Sequence, residues 1–173
     1  MFCIGSSYIK PIASSTTTSN IDTRLEYLIG DWKSTGFVTD AQNLQQKIEM
    51  NQHIAFEDNK IVFTGTGINP INKYRYNTSK AIFLNERTNT WRVEGKVSNK
   101  YTLDNKVYIT EANTLTYTFY DNAKNLMRYT ILKENDDSFT ETEELWTDNG
   151  WDKTAWMRTK RTAKSADAAR PLH

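Results

Sequence analysis

LEYLIGDWKSTGFV, residues 25–38, carries the chain from a short helix through a glycine into a strand. Leu25, Leu28 and Ile29 are spaced to share one side of a helix, Asn20 offers its N-cap, and Gly30 stands where it ends. Beyond the glycine the period changes. Trp32, Ser34, Gly36 and Val38 fall on one face of a strand and Lys33, Thr35 and Phe37 on the other. The segment predicts a helix that covers one end of whatever the strand begins.

Strand signals continue toward the C-terminus. From Gln46 to Glu57, Ile48, Met50, Ile54 and Phe56 alternate with Glu49, Asn51, His53 and Glu57, which predicts a strand with one buried face. Lys60 to Ile68 alternates Ile61, Phe63, Gly65 and Gly67 with Val62, Thr64 and Thr66, and its two glycines predict a bend or a close backbone approach. Further strands are expected near 79–85, 90–97, 106–113, 114–120, 126–133, 138–146 and 153–162, with 106–120 either one bent strand or two meeting near Asn113. Turn formers separate them at 86–89, 98–100, 121–125, 135–137 and 148–150. Short strands with tight connections and no second helix predict an all-β antiparallel meander. About eight to ten strands suffice to close a barrel with a ligand-sized interior.

The ends read differently. Residues 1–19 lack the basic n-region and long apolar core of a secretory signal, and Ser14 to Ser19 is a polar tract that buries too little to order itself. A disordered leader is expected there, with a trimmed or atypical signal as the alternative. Residues 163–173 read as a disordered tail. That leaves 20–162 for the barrel.

Composition excludes several function classes. The chain has 173 residues, 38% of them hydrophobic, which is enough for one domain with a sizeable core. With 22 Lys and Arg against 21 Asp and Glu, there is no excess positive charge to follow a phosphate backbone, so nucleic acid is not an expected partner. The apolar runs fall far short of the roughly 20 residues that span a bilayer. Cys3 is the only cysteine, which precludes an intramolecular disulfide and a cysteine-built zinc site and fits a reducing, cytoplasmic setting. The sequence is silent on oligomeric state.

Gly30-Asp31-Trp32 after a short helix, followed by a β-meander and a final strand bearing arginines, resembles the calycin superfamily of lipocalins, fatty-acid-binding proteins and bacterial lipocalin-like domains. The stretch Trp146-Thr147-Asp148-Asn149-Gly150-Trp151-Asp152-Lys153, running on through Arg158 and Arg161, is similar to the final hairpin of the bacterial members. The resemblance covers residues 20–162. It implies that Trp32 packs under a basic residue from the last strand and closes one end of the barrel. In a closed meander the last strand runs antiparallel to the first, so Arg161 fits this role better than Arg158. Arg161 also shares parity with Ala155, Met157 and Thr159. Its guanidinium is expected to stack on the indole, holding the structure rather than reacting.

Candidates for chemistry follow from the same parity. His53 lies opposite the apolar face of its strand and is expected in solvent. Heme-binding barrels of the resembling group use a histidine in their distal half; none stands between Ile54 and His173, so no heme, other cofactor or metal is expected. On the strand from Ser138 to Trp146, Glu141 and Glu143 share a face with Phe139 and Leu145, while Glu144 shares the other with Trp146. Either face buries a carboxylate. It must form an ion pair with Arg128, Arg92 or Lys160, the simpler reading, or shift its pKa and become an acid or base candidate.

Met50, Phe63, Phe83, Trp91, Tyr117, Phe119, Tyr129 and Trp156 occur where alternation could turn them inward to line a cavity, Trp156 only with the help of a bulge, and Tyr76, ahead of its strand, is expected at the mouth. The alternative is a barrel filled by these same side chains. Gly65-Thr66-Gly67 lacks the further glycine and helix of a phosphate loop, and Asn135-Asp136-Asp137 reads as a hairpin turn rather than a calcium site.

The leading expectation is therefore a barrel that binds a small hydrophobic molecule. A second is a cofactor-independent cyclase or isomerase of a polyketide- or terpenoid-like substrate, acting by confinement with Glu141 or Glu143 and Tyr117 or Tyr129 as its catalytic polar groups. A third is a structural or partner-binding module packed solid. Function is sought at the end away from Trp32.

Overall fold

In the computed structural model of the protein, eleven strands follow one turn of 3-10 helix at Glu26–Leu28. The structure describes residues 22–40, 42–70, 72–97, 101–110 and 113–163, the side chains of 96, 97, 101–104 and 163 excepted. The strands are β1 (Gly30–Thr39), β2 (Gln45–Glu57), β3 (Lys60–Ile68), β4 (Arg75–Asn85), β5 (Thr90–Val97) and β6 (Tyr101–Lys106), then β7 (Tyr108–Ile109), β8 (Thr114–Tyr120), β9 (Leu126–Asn135), β10 (Ser138–Thr147) and β11 (Gly150–Ala163). All pair antiparallel in a single sheet, in the order β6-β5-β4-β3-β2-β1-β11-β10-β9-β8-β7. The first and last strands are thus partners in the middle of the sheet. Its two edges, β6 and β7, come together with β6 lying against β8, and the result is a nearly closed barrel.

The expected meander is present, with local differences. β4 starts at Arg75 rather than near Ser79 and so includes Tyr76. The segment expected at 106–113 is divided at Val107, whose side chain is buried and whose N–H donates to Trp91 O at 2.9 Å. Asn113 makes the anticipated break before β8, in the left-handed conformation (φ 58°) that asparagine tolerates. The glycines of β3 mark close approaches: a Cβ on Gly67 would come within 2.6 Å of the Tyr76 ring, and one on Gly65 within 2.6 Å of Thr78 Oγ1.

The expected N-terminal helix is only the 3-10 turn. Its bonds span three residues, from Leu28 N to Leu25 O (3.0 Å) and from Ile29 N to Glu26 O (3.2 Å). Asp22 shapes its start, Oδ1 accepting from Arg24 N at 2.9 Å. The carbonyls of Tyr27 and Ile29 go to Arg161 instead of to a further helical turn. Asn20, the expected leader and the tail beyond Ala163 lie outside the described residues. No helix among the described residues is long and apolar enough to cross a membrane.

This turn seals one end of the barrel. Leu25, Tyr27 and Leu28 are buried against Trp32, whose indole is 1% exposed and meets Phe139 edge-on at 4.8 Å. Trp32 Nε1 donates to Leu28 O at 2.7 Å. The register pairs Trp32 with Arg161, and the guanidinium carbon sits 4.2 Å from the indole ring, as the sequence implied. Arg161 then donates to Ile29 O (2.6 Å), Tyr27 O (2.9 Å), Asp136 O (2.9 Å) and Asp137 Oδ1 (3.1 Å). One cation ties the first turn, the last strand and the β9–β10 hairpin together.

Candidate functional site

Alternation along β1 turns Trp32, Ser34, Gly36 and Val38 inward, so successive inward positions climb from the sealed end toward the other. Above the Trp32–Phe139 plug lies a cavity of about 250 Å³ inside the barrel. Val38 and Ile48, with Asn69 and Pro70 from the β3–β4 connection, form its far end, and Ala155 and Met157 line it from β11. A larger hollow of about 550 Å³ touches the outward Lys33, Lys47, Glu49 and Asn51. Its carboxylate is already engaged, Glu49 pairing with Lys47 at 3.0 Å and Lys33 at 3.7 Å.

The cavity floor is polar and closely bonded. Ser34 on β1, Gln52 on β2, Glu141 on β10 and Thr159 on β11 are all buried. Gln52 Nε2 donates to Glu141 Oε1 (2.5 Å) and to Ser34 Oγ (2.7 Å), and Thr159 Oγ1 donates to the same Glu141 oxygen at 2.8 Å. The Ser34 and Thr159 hydroxyls are 2.8 Å apart. Tyr129 OH donates to the second oxygen, Glu141 Oε2. With Ser34 Oγ 3.5 Å from Oε1, Glu141 thus accepts from four separate strands besides its own. Among the described residues no buried side-chain nitrogen or oxygen lacks a hydrogen-bond partner. A bonded floor of this kind fixes the positions of its members.

The upper wall is aromatic and ionisable. Tyr117 stacks on Tyr129 with ring centroids 5.2 Å apart, and Phe119 follows Tyr117 on β8. Burial pushes the Glu143 carboxyl up, against the opposing influence of Thr154 and Lys80. Burial, with the charge of Glu141, pushes Tyr76 up to about 12 and holds Tyr129 well above its ordinary value.

Lys80 on β4 reaches into the same space with its ammonium 3.8 Å from the Tyr129 ring centroid, and burial pulls its pKa down to about 8 although Glu141 and Glu143 act the other way. Above pH 8 the folded protein releases this proton while the unfolded chain still holds it, up to the ordinary lysine value of about 10.4. Stability therefore rises with pH across that window, and the burial cost is fully present below it. Urea midpoints taken from pH 8 to 9, below the range in which the unfolded chain's tyrosines ionise, are expected to climb in the wild type and stay flat in Lys80→Met.

The cavity brings together Met50, Phe63, Tyr76, Tyr117, Phe119 and Tyr129, and with them Glu141 and Glu143. Phe83, Trp91 and Trp156 do not line it. Ile82 takes the inward position on β4, which leaves Phe83 under Lys60 Nζ at 4.7 Å. Trp91 packs against the core rather than the cavity. Trp156 sits between the inward Ala155 and Met157 and pairs with the exposed Phe37; the bulge of β11 falls at Thr154, past Ala155, and leaves Trp156 turned outward.

The ion-pair reading holds for Glu144, which Arg128 binds at 2.7 Å, whereas Glu141 is held by neutral donors. His53 is on the outer face as expected, its Nδ1 2.6 Å from Asp31 Oδ1. Among the described residues no three His, Cys, Asp or Glu side chains gather as a metal site requires.

The sequence reading passed over Gln52, Ser34, Thr159 and Lys80. Gln52 had a signal, as the one polar residue in the inward row Ile48, Met50, Ile54, Phe56. Lys80 had another, sharing parity with Tyr76 and Ile82.

Fold and site together define an antiparallel meander barrel, sealed at one end, with an aromatic-walled and polar-floored cavity. Two solved structures are similar to it. One is Rv2717c from M. tuberculosis, with a TM-score of 0.58 and 7% identity over 83% of this chain and 100% of that one. The other is the S-type phycobiliprotein lyase CPES from Guillardia theta, with a TM-score of 0.56 and 12% identity over 82% of this chain and 91% of that one. At such identities the likeness is one of fold. No family model matches the chain, and no curated protein matches it in sequence.

Proposed function

We propose that the protein is a calycin-type barrel that binds a small, largely apolar molecule bearing one polar group. The observation that carries this reading is the cavity itself, about 250 Å³ of space left open above a floor whose polar groups are already bonded. A barrel packed solid by its own aromatics would leave no such space. The apolar body of the ligand lies against Met50, Tyr76, Tyr117 and Phe119, and its polar group is directed to the Gln52–Glu141–Tyr129 floor. The volume, just under the roughly 300–1,000 Å³ usual for drug-sized ligands, favours a compact one. A phycobiliprotein lyase of similar fold is compatible with a binding role. The single cysteine supports a reducing, cytoplasmic setting.

The cyclase or isomerase alternative uses the same space. Glu143 is its stronger acid–base candidate, because Glu141 is committed to four donors. No further observation favours it over binding.

Filling the cavity tests the proposal. Ala155→Phe places a ring where Ala155 now lines the wall. Calorimetric titration with hydrocinnamyl alcohol, a compact aromatic alcohol, is expected to show one-to-one binding to the wild type and at least tenfold weaker binding to the variant, with unchanged far-UV circular dichroism. Equal affinity in the two proteins, or no uptake by the wild type, overturns it.

A further inference from the structure

Lys80 is a cavity group that binding of an apolar alcohol leaves without a task. Its place is built by the sheet: it shares parity with Tyr76 and Ile82, pairs with Phe63 on β3 and with Gly95 on β5, and lines the cavity. Gly95 has a positive φ of 149°, and a Cβ there would come within 2.4 Å of Ser79 O and 2.6 Å of Lys80 Cα. Only glycine lets β5 lie this close behind the lysine.

The amine stands among rings, with Nζ 3.8 Å from the centroid of Tyr129, 4.8 Å from Phe63 and 6.0 Å from Tyr117. Among the described residues it has no ion pair and no hydrogen bond, and Glu141 and Glu143 act on it through space alone. An amine placed to serve only as a structural cation would pair with a carboxylate, as Lys60 does with Glu94.

The chemistry of an unpaired amine that opens onto an aromatic-walled cavity is nucleophilic. A surface lysine is almost wholly protonated at neutral pH, whereas one with its pKa near 8 is neutral in about one molecule in five at pH 7.4. Only the neutral form has a lone pair to give.

We propose that Lys80 forms a reversible imine with an aldehyde group carried by the ligand. This rests on the binding reading above and names its ligand class. The Nζ lone pair attacks the carbonyl carbon, and the C=O π pair moves to oxygen, which takes a proton to give the carbinolamine. The C–O bond then breaks and the C=N bond forms. The oxygen leaves as water with the two hydrogens that the neutral amine carried, so no oxidant or reductant is needed. Glu143, which lines the same cavity from β10, lends the proton that helps the hydroxyl leave and recovers one from nitrogen. Protonated, the imine keeps its cation over Tyr129, in the field of Glu141 and Glu143.

Borohydride trapping tests this step. The full chain is incubated with one equivalent of hydrocinnamaldehyde, reduced, digested and mapped by mass spectrometry, with hydrocinnamyl alcohol titrated in parallel. The expected product is one secondary amine at Lys80, in at least tenfold greater yield than at the exposed Lys33 and Lys47, suppressed by excess alcohol and absent from Lys80→Arg and Lys80→Met.

Labelling spread over the exposed lysines at equal yield overturns the proposal, as does an unlabelled Lys80 in protein that binds the alcohol; in both cases binding itself stands. A wild type that takes up neither molecule overturns binding and imine together. Where a variant fails to fold, the wild-type peptide map decides alone.

Discussion

Trp32→Ala is expected to lower the free energy of unfolding by about 3–5 kcal/mol, the usual cost of deleting a fully buried aromatic ring. Three losses add at that position. Phe139 loses the ring it meets edge-on, Leu28 O loses its 2.7 Å donor, and Arg161 loses the surface on which it is stacked. Because Arg161 also holds the carbonyls of Tyr27, Ile29 and Asp136, loosening it releases the 3-10 turn from the barrel end. Urea unfolding followed by far-UV circular dichroism measures the change. A loss below about 1 kcal/mol would mean that the sealed end contributes little to holding the barrel shut.

Glu141→Leu should be nearly as damaging, at about 2–4 kcal/mol, although it replaces a carboxylate with an apolar side chain of similar size. Each buried donor left without an acceptor costs about 1–3 kcal/mol. Gln52, Thr159 and Tyr129 each lose this acceptor at once, Gln52 keeping only Ser34 Oγ. The loss stays below the sum because Thr159 still has Ser34 at 2.8 Å and the Tyr129 hydroxyl can turn toward the cavity. Glu141→Gln keeps one oxygen and is expected to fall between the variant and the wild type. Destabilisation is again read from urea midpoints; a Leu variant as stable as the parent would show that the floor is not a bonded unit.

The sealed end was legible in the chain because two independent regularities agree there. Antiparallel closure puts the end of the last strand beside the start of the first, and parity puts Arg161 on the side of Thr159 and Met157. Glu141 and Glu143 were legible for a similar reason, since one face of β10 had to be buried and carried them with Phe139.

The floor was not legible as a unit. Gln52 and Glu141 lie 89 residues apart, and no local pattern announces that two strands so far separated will face each other across a barrel. Lys80 was hidden by where β4 begins. A strand started at Ser79 shows one charged residue near its edge; a strand started at Arg75 shows the inward row Tyr76, Thr78, Lys80, Ile82.

Aromatic content misled in the other direction. Phe83 and Trp156 are large and apolar, yet the inward neighbours Ile82 and Met157 fix them on the outside. Over the few residues from Leu25 to Ile29, apolar spacing does not distinguish an α-helix from a single tighter turn.

The pairing of β1 with β11 has a mechanical consequence. Their register sets Asp31 opposite Ala163, so both ends of the barrel segment leave the sheet at the same place, beside the tryptophan plug. Tension applied through the two ends would load the hydrogen bonds of this ladder one after another, as a zipper is opened, rather than all together in shear. Arg161, which also grips the opening turn, is the first catch such a pull must undo.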